Sequence, residues 1–456
     1  MPTNYNQPAG DLLQAPPSWS GFIKLAFRIF FVYFFIQAVP LDWKFYRDLF
    51  SINWLHLQFS DIFNIAHYSP RFSAGTQTYA DWGIIFLLSV LGAVIWTITE
   101  KNKKENYDQL YYWLRVIVRY RLAIGIIAYG FIKLFPIQAP YPSLSNLNTN
   151  YGDFTRWKLF SLSLGIVPGY ESFLGIVEIV AGLLLLYRKT ASVGAFIIII
   201  FTGNVFISNL AYEGGEQVYS LYLIALAIFV LSFDLGRLFN LLILQKPAIP
   251  NQFVPNYSSK RQFNIATGLK VAFILFFVVL YGFKTGAAYY KGAYRFPEEN
   301  GLAGTAGIYN VSSFRINKDS LAYSATDSLR WQDVVFEKWN TLSIRSNRPV
   351  IIDSNNIEKI VPGKEAKYYE LEGVAERHYY TYTADTIHHT LLLKNKNKNY
   401  AGETLVFHYS KAGDSSLVLS GLNERRDSVF VVLNKINKKY LLEEVAKRGR
   451  QQPIKL

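Results

Sequence analysis

The stretch Gly175-Ile-Val-Glu-Ile-Val-Ala-Gly-Leu-Leu-Leu-Leu186 is an apolar run with one carboxylate, Glu178, near its middle. Gly175 and Gly182 lie three residues before and four residues after Glu178, so all three fall on one face of a helix. Small residues on one face let a second helix approach closely in a membrane. An ionised group in lipid costs at least ~2.5 kcal/mol, so it normally faces a partner or a wet cavity. The stretch therefore predicts a membrane helix with Glu178 directed into a bundle.

The rest of the chain divides into two populations of sequence. Residues up to about 290 carry several long apolar runs, whereas residues from about 297 onward are polar and have none. This contrast predicts a polytopic membrane domain followed by a soluble domain. Much of the net charge of +14 flanks the apolar runs, where it sets topology and meets anionic lipid, so we expect no nucleic-acid partner. The absence of cysteine excludes intrinsic thiol–disulfide, iron–sulfur and thiolate-metal chemistry.

Seven apolar segments are each close to the ~20 residues that a helix needs to cross a membrane. They cover residues 22–40, 82–98, 112–135, 169–187, 190–210, 217–233 and 265–283. Basic residues concentrate in three connections on one side, whereas the connection at 212–216 has none. By the positive-inside rule, the N-terminus is cytoplasmic and the C-terminal domain is outside a bacterial inner membrane.

The C-terminal domain has a period of two with Gly, Asn and Asp at the turns. Strands are predicted at Val334–Phe336, Thr341–Ile344, Thr390–Leu393, Thr404–Tyr409, Ser416–Leu419 and Ser428–Leu433. Their short spacing favours an antiparallel β-sandwich or a small barrel, and we take the sandwich-like form as the expectation.

These features predict six segments. They are a cytoplasmic tail (1–21), two membrane helices with a long outer loop (22–110), a four-helix membrane core (111–240), a cytoplasmic connection (241–264), a seventh helix (265–290) and an extracytoplasmic β domain (291–456). The two long outer segments, about 41–81 and 136–168, are expected to pack over the bundle.

Intramembrane charge provides the first candidate site. If the third helix runs outward and the fourth inward, a rise of about 1.5 Å per residue places Arg121 roughly 8 Å deeper than Glu178 and Lys133 roughly 10 Å shallower. A long arginine side chain can cover much of that offset, so we predict an Arg121–Glu178 pair. Either the pair is structural and locks two helices, or it belongs to a proton or quinone site.

A second candidate is a polar and mostly neutral cluster in the outer half of the same four helices. Its members are Tyr129, Lys133, Asn204, Ser208, Tyr219 and Tyr222. They either line a cavity open to the outside or form interhelical hydrogen bonds. All six histidines lie outside the predicted spans, so an intramembrane bis-histidine haem lacks ligands, and no metal site is expected. Motifs of hydrolases and nucleotide-binding proteins are absent from the sequence.

Three parts of residues 111–240 carry a family resemblance. They are Arg121-Leu-Ala-Ile-Gly125 with Gly130 and Lys133, then Gly175-Ile-Val-Glu178 with Gly182-Leu-Leu-Leu-Leu186, and finally Tyr219 to Leu231 with Asp234. This region resembles the DoxX/DoxD-like family of four-helix membrane proteins. The opening Phe27-Arg-Ile-Phe-Phe-Val-Tyr-Phe-Phe-Ile36 is similar to the start of longer bacterial members, which carry extra helices and a C-terminal extracytoplasmic domain. The ending Val445-Ala-Lys-Arg-Gly-Arg450 departs from the more aromatic ending of those members.

The resemblance implies an inner-membrane protein of a family linked to sulfur oxidation or to oxidative-stress complexes, with one branch in a thiosulfate:quinone oxidoreductase. Our first hypothesis is an accessory or scaffold subunit of an envelope complex, not an enzyme by itself, with a small lipid or quinone cavity. A quinone-interacting subunit of an oxidoreductase and a proton-coupled transporter are the alternatives. No intrinsic cofactor is expected beyond such a quinone, and the expected partners are membrane lipid and other envelope proteins.

The charge distribution generates a topology prediction. We expect alkaline phosphatase fused at Leu456 to be active and green fluorescent protein fused there to be dark, because only the first matures outside the cytoplasm. The opposite pattern, measured in whole cells, would contradict the proposed orientation.

Overall fold

The computed structural model describes residues 19–72, 77–100, 104–247, 259–292, 295–352, 368–413 and 415–448. The chain forms an N-terminal helical region with several apolar helices and a C-terminal antiparallel β-barrel. Most of the predicted N-terminal tail and part of the predicted connection at 241–264 lie outside the described residues.

Thirteen of the described helices precede the barrel. They are α1 (Gly21–Ala38), α2 (Trp43–Ser51), α3 (Phe59–Ala66), α4 (Tyr79–Thr99), α5 (Asp108–Leu134), α6 (Leu144–Leu147), α7 (Arg156–Gly165), α8 (Pro168–Leu185), α9 (Ala191–Tyr212), α10 (Gln217–Ser232), α11 (Leu235–Leu242), α12 (Lys260–Ile274) and α13 (Tyr281–Lys291). A π-helical segment, Leu275–Leu280, joins α12 to α13. The last helix, α14 (Leu441–Arg448), follows the barrel.

Within the described residues, five helical segments are long and apolar enough to cross a membrane. They are Gly21–Ser51, Tyr79–Thr99, Pro168–Leu185, Ala191–Tyr212 and Lys260–Lys291. The pair α10 and α11, bent by 73°, is a sixth candidate if it forms one span. The predicted span at 112–135 falls in α5, which is not among them, and seven spans therefore stay a prediction.

The glycine face of α8 packs against α5. A Cβ atom at Gly175 would collide with the backbone of Leu134 and Gly130, and one at Gly182 would lie 2.5 Å from Ile127 Cγ1. The predicted close approach of a second helix is therefore confirmed, and its partner is α5. Fifteen α5 residues are buried, so this helix lies at the centre of the bundle.

The C-terminal strands close into a barrel. They are β1 (Gly307–Ile316), β2 (Asp319–Ser320), β3 (Asp333–Phe336), β4 (Thr341–Arg345), β5 (Arg377–Asp385), β6 (Thr390–Asn395), β7 (Thr404–Lys411), β8 (Ser416–Leu422) and β9 (Ser428–Lys435). Neighbouring strands are antiparallel, and β1 pairs with both β3 and β9, which leaves the two-residue β2 as an appendage of an eight-stranded barrel.

The barrel corrects the sandwich-like expectation while confirming the all-β prediction. Each of the six predicted strands is present, and β1, β2 and β5 were missed. Because β1 pairs along its length with β9, the sheet has no open edge there, and one set of alternate side chains fills the interior. The sequence pattern of a strand is the same in both architectures, so closure could not be predicted from it.

The long segment at 136–168 contains α6 and α7 and contacts the barrel. The backbone N–H and Oγ of Ser145 donate to Glu337 at 2.7 and 2.6 Å, and Lys158 Nζ donates to the Tyr369 carbonyl. Burial lowers the pKa of Lys158 to about 7, while burial and the nearby Glu370 carboxylate raise the pKa of Glu337 to about 7. The segment therefore joins barrel and bundle through buried polar contacts.

Gly421 in β8 gives a test of the barrel. A Cβ atom at Gly421 would collide with the Val406 carbonyl oxygen. A Cβ atom at Gly402 would have no described atom within 4 Å. We expect Gly421→Ala to lower the free energy of unfolding by about 1–3 kcal/mol, because overpacking forces backbone shifts. Scanning fluorimetry of the purified protein should show a lower melting temperature for Gly421→Ala but not for Gly402→Ala. Equal melting of the two variants would contradict the tight strand packing.

Candidate functional site

A cavity of about 470 Å³ lies in the half of the helical bundle nearer the barrel. It is lined by the C-terminal half of α5, α7, the N-terminal half of α8, the C-terminal half of α9 and the start of α10. One wall continues to the barrel, because Ser161 of α7 hydrogen-bonds the Tyr369 hydroxyl at 2.8 Å. The volume falls in the range typical of small-molecule sites, roughly 300–1,000 Å³.

An ion pair between α5 and α8 forms the polar part of this cavity. Lys133 Nζ lies 2.5 Å from Glu178 Oε1, and the two residues are 8% and 4% exposed. The ammonium also lies 5.5 Å from the centre of the Tyr129 ring and 5.8 Å from that of Phe201. Glu178 Oε2 is buried, and none of the residues that the structure describes hydrogen-bonds it. The carboxylate therefore retains an acceptor atom for a ligand.

The predicted Arg121–Glu178 pair is not formed. Arg121 donates instead to the carbonyl oxygens of Ala66, at 2.5 Å, and Tyr68, and to the Tyr222 hydroxyl at 3.3 Å. Ala66 is the last residue of α3, whose final carbonyls have no partner within the helix. The guanidinium therefore satisfies the end of α3, a short helix that was not predicted from the sequence.

Helix register explains why Lys133 replaces Arg121 as the partner. The depths predicted for Arg121 and Lys133 relative to Glu178 assumed that the end of the third helix is level with the start of the fourth. In the structure, the last residue of α5, Leu134, lies against Gly175, seven residues after the start of α8 at Pro168. Helix α8 therefore extends about 10 Å beyond α5, at about 1.5 Å per residue. This shift brings Glu178 level with Lys133.

The polar cluster predicted from sequence is mostly brought together. Tyr129, Lys133, Asn204, Ser208 and Tyr219 line the cavity together with Glu178. Tyr222 does not line it, because its hydroxyl donates to the Gln37 carbonyl at 2.8 Å and accepts from Arg121. The arrangement favours the cavity interpretation for five of the six residues.

Four aromatic residues in the cavity wall were not predicted from the sequence. Trp157 and Phe160 come from α7, Tyr170 from the first turn of α8, and Tyr212 from the end of α9. The concentration of aromatic residues between 151 and 170 was the available signal for three of them. Apolar rings around one ion pair make the cavity amphipathic, which suits a flat ligand with hydrogen-bonding atoms at its rim.

A second, more polar cavity of about 430 Å³ shares Glu216 and Tyr219 with the first. His67 lies in its wall, 3.3 Å from Glu216 Oε2, with its ring centre 3.9 Å from that of Tyr219. The side chains of His67, Glu216 and Tyr219 therefore lie next to one another where the two cavities adjoin.

Comparison of the chain with protein-family models, curated proteins and solved structures found no match.

The ion pair generates a prediction about energetic coupling. Breaking it by Glu178→Leu or Lys133→Met leaves one buried charge, so each variant should be strongly destabilised. We expect the double variant to recover a coupling free energy of about 0.5–3 kcal/mol, measured by SDS-driven unfolding. The matched control is Arg121→Met, which should add to Glu178→Leu without coupling. Coupling of Glu178 to Arg121 and not to Lys133 would contradict the assigned pair.

Proposed function

We propose that this chain is a DoxX-like inner-membrane protein that acts as an accessory subunit of an envelope complex and binds one quinone-class ligand in the cavity beside Lys133 and Glu178. The observation that carries the proposal is the buried ion pair with an unpartnered carboxylate oxygen in the wall of an amphipathic cavity. A purely structural pair needs no adjoining space of about 470 Å³.

The chemistry of the walls supports a quinone ring. Its carbonyl oxygens accept hydrogen bonds, which Lys133 and the Tyr129 and Ser208 hydroxyls can donate. The hydroxyl groups of the reduced form donate hydrogen bonds, which the Glu178 carboxylate can accept. Rings of Trp157 and Phe201 offer apolar surface to a flat ligand. The same walls therefore suit both redox forms of the ligand.

The composition of the chain supports the proposed subunit role. It has no cysteine for an iron–sulfur cluster, and its histidines lie outside the predicted spans, so in our proposal a partner protein supplies the electrons for the quinone. We propose that the partner docks on the barrel, which lies next to the cavity because the segment at 136–168 contacts both. In this scheme the chain holds the ligand and the partner supplies the redox centre.

A proton-coupled transporter remains the second candidate. The observation in its favour is the neighbouring polar cavity, where His67 and Glu216 adjoin the wall of the first cavity. Proton uptake into vesicles containing the purified protein alone, with no quinone added, would favour this candidate.

The test of the quinone proposal is a matched pair of substitutions in α8. Leu174 lines the cavity, whereas the adjacent Phe173 is 56% exposed on the outer surface of the bundle. We expect Leu174→Trp to reduce quinone binding about tenfold or more by filling the cavity, while Phe173→Trp leaves it unchanged. The measurements are mass spectrometry of quinones extracted from the purified protein and titration with a short-chain quinone in detergent.

A polar substitution separates ligand binding from packing. Glu178→Gln keeps the shape of the side chain but removes its charge, so affinity for the reduced, hydrogen-donating form should fall more than affinity for the oxidised form. Wild-type protein that neither retains a quinone nor binds one would refute the proposal.

A further inference from the structure

Arg119, near the middle of α5, is a buried cation that the proposed cavity does not use. The residue is 7% exposed, and its guanidinium carbon lies 5.5 Å from the centre of the Tyr120 ring. Tyr120 hydrogen-bonds the guanidinium, but no described residue hydrogen-bonds its Nε atom. In the described part of the chain, the ion pairs of α5 are Arg115–Asp234 and Lys133–Glu178, and neither carboxylate pairs with Arg119. Tyrosine contacts do not neutralise a buried guanidinium, and a buried charge without a counter-ion is costly, so a missing anion is indicated.

Two further basic residues approach from other elements. Arg188, in the turn between α8 and α9, is an electrostatic neighbour of Arg119. Lys270 of α12 lies 5.9 Å from the centre of the ring of Tyr187, the residue before Arg188. Helix α12 also contacts α5 beside Arg119, because the ring centres of Tyr120 and Phe273 are 4.9 Å apart. We call Arg119, Arg188 and Lys270 the basic niche.

The position of the basic niche matches the headgroup region of a membrane. Arg119 lies six residues after Trp113, a distance of about 9 Å along the helix. Trp113 is 39% exposed and suits a membrane–water interface. Arg188 lies just beyond the C-terminal end of α8, at the end of the bundle opposite to the cavity. A long arginine side chain in α5 can reach from this depth to the headgroups.

We infer that the basic niche binds the phosphate group of one anionic phospholipid between α5, the α8–α9 turn and α12. The guanidinium of Arg119 presents parallel N–H donors that match a phosphate, and Lys270 adds a second positive charge at the rim. Basic pockets between membrane helices are known to bind anionic headgroups. The apolar surface of α12, of which Leu269 is 67% exposed, offers a path for the acyl chains. This site is independent of the proposed quinone cavity.

Native mass spectrometry of the full chain in detergent tests the inference by titration with phosphatidylglycerol or phosphatidylcholine. We expect one tightly held phosphatidylglycerol and much weaker retention of phosphatidylcholine. Because a hydrogen bond to a charged group contributes about 1.5–3 kcal/mol, Arg119→Gln should weaken phosphatidylglycerol binding about 10- to 100-fold. Unchanged affinity in a folded Arg119→Gln variant, or equal affinity for the two lipids in wild type, would overturn the inference.

Two further variants test the inference if Arg119→Gln misfolds, and they control for the loss of a positive charge. Lys270 is only partly buried, so Lys270→Gln should fold even if Arg119→Gln does not, and it should weaken phosphatidylglycerol binding several-fold. Lys260→Gln removes the same charge from an exposed position at the start of α12 and should leave binding unchanged. Equal losses in the two variants would indicate non-specific attraction and contradict the niche.

Inorganic phosphate separates a lipid headgroup from a soluble phosphate. We expect excess inorganic phosphate to displace little bound phosphatidylglycerol, because the acyl chains contribute to retention. Complete displacement by phosphate, together with phosphate adducts on the wild type but not on Arg119→Gln, would overturn the lipid assignment.

Discussion

Four buried cations lie on the central helix α5, and three of them bind partners that connect α5 to different parts of the structure. Arg115 pairs with Asp234, which links α5 to the junction of α10 and α11. Arg121 satisfies carbonyl groups at the end of α3, and Lys133 pairs with Glu178 of α8. Because a buried charge without a partner is strongly unfavourable, these contacts restrict how the helices can be arranged around α5. Arg119 is the remaining member of this set.

The pairing of Lys133 with Glu178 depends on backbone packing. Gly130 and Gly175 allow α5 and α8 to touch near the end of α5, and this contact fixes the offset between the two helices. A larger residue at either position would separate the backbones and shift the charges apart. The same contact leaves the first turns of α8 extending beyond α5, where α7 covers them. The cavity forms between that extension and the ends of α9 and α10. Glycine packing therefore determines both the ion pair and the space beside it.

Buried polar contacts attach the barrel to the bundle. Ser145 donates to Glu337, and Lys158 donates to the carbonyl of Tyr369 while its ammonium lies 3.6 Å from the centre of that ring. Buried hydrogen bonds are costly to leave unmade, so such contacts favour one orientation over others. The segment that makes them also supplies Trp157 and Phe160 to the cavity wall. Docking of the barrel and shaping of the cavity are thus coupled through one segment.

The sequence by itself determined the helical and all-β parts, six of the strands, the glycine face of α8 and the placement of Glu178 within the bundle. These features depend on local periodicity and composition, which a single segment carries. Of the six polar residues predicted to form a cluster, five line the cavity. Tertiary structure alone decided that Lys133 rather than Arg121 pairs with Glu178, because the offset between α5 and α8 arises where Gly175 meets Leu134. It likewise decided barrel closure, since pairing of β1 with β9 joins residues more than a hundred positions apart.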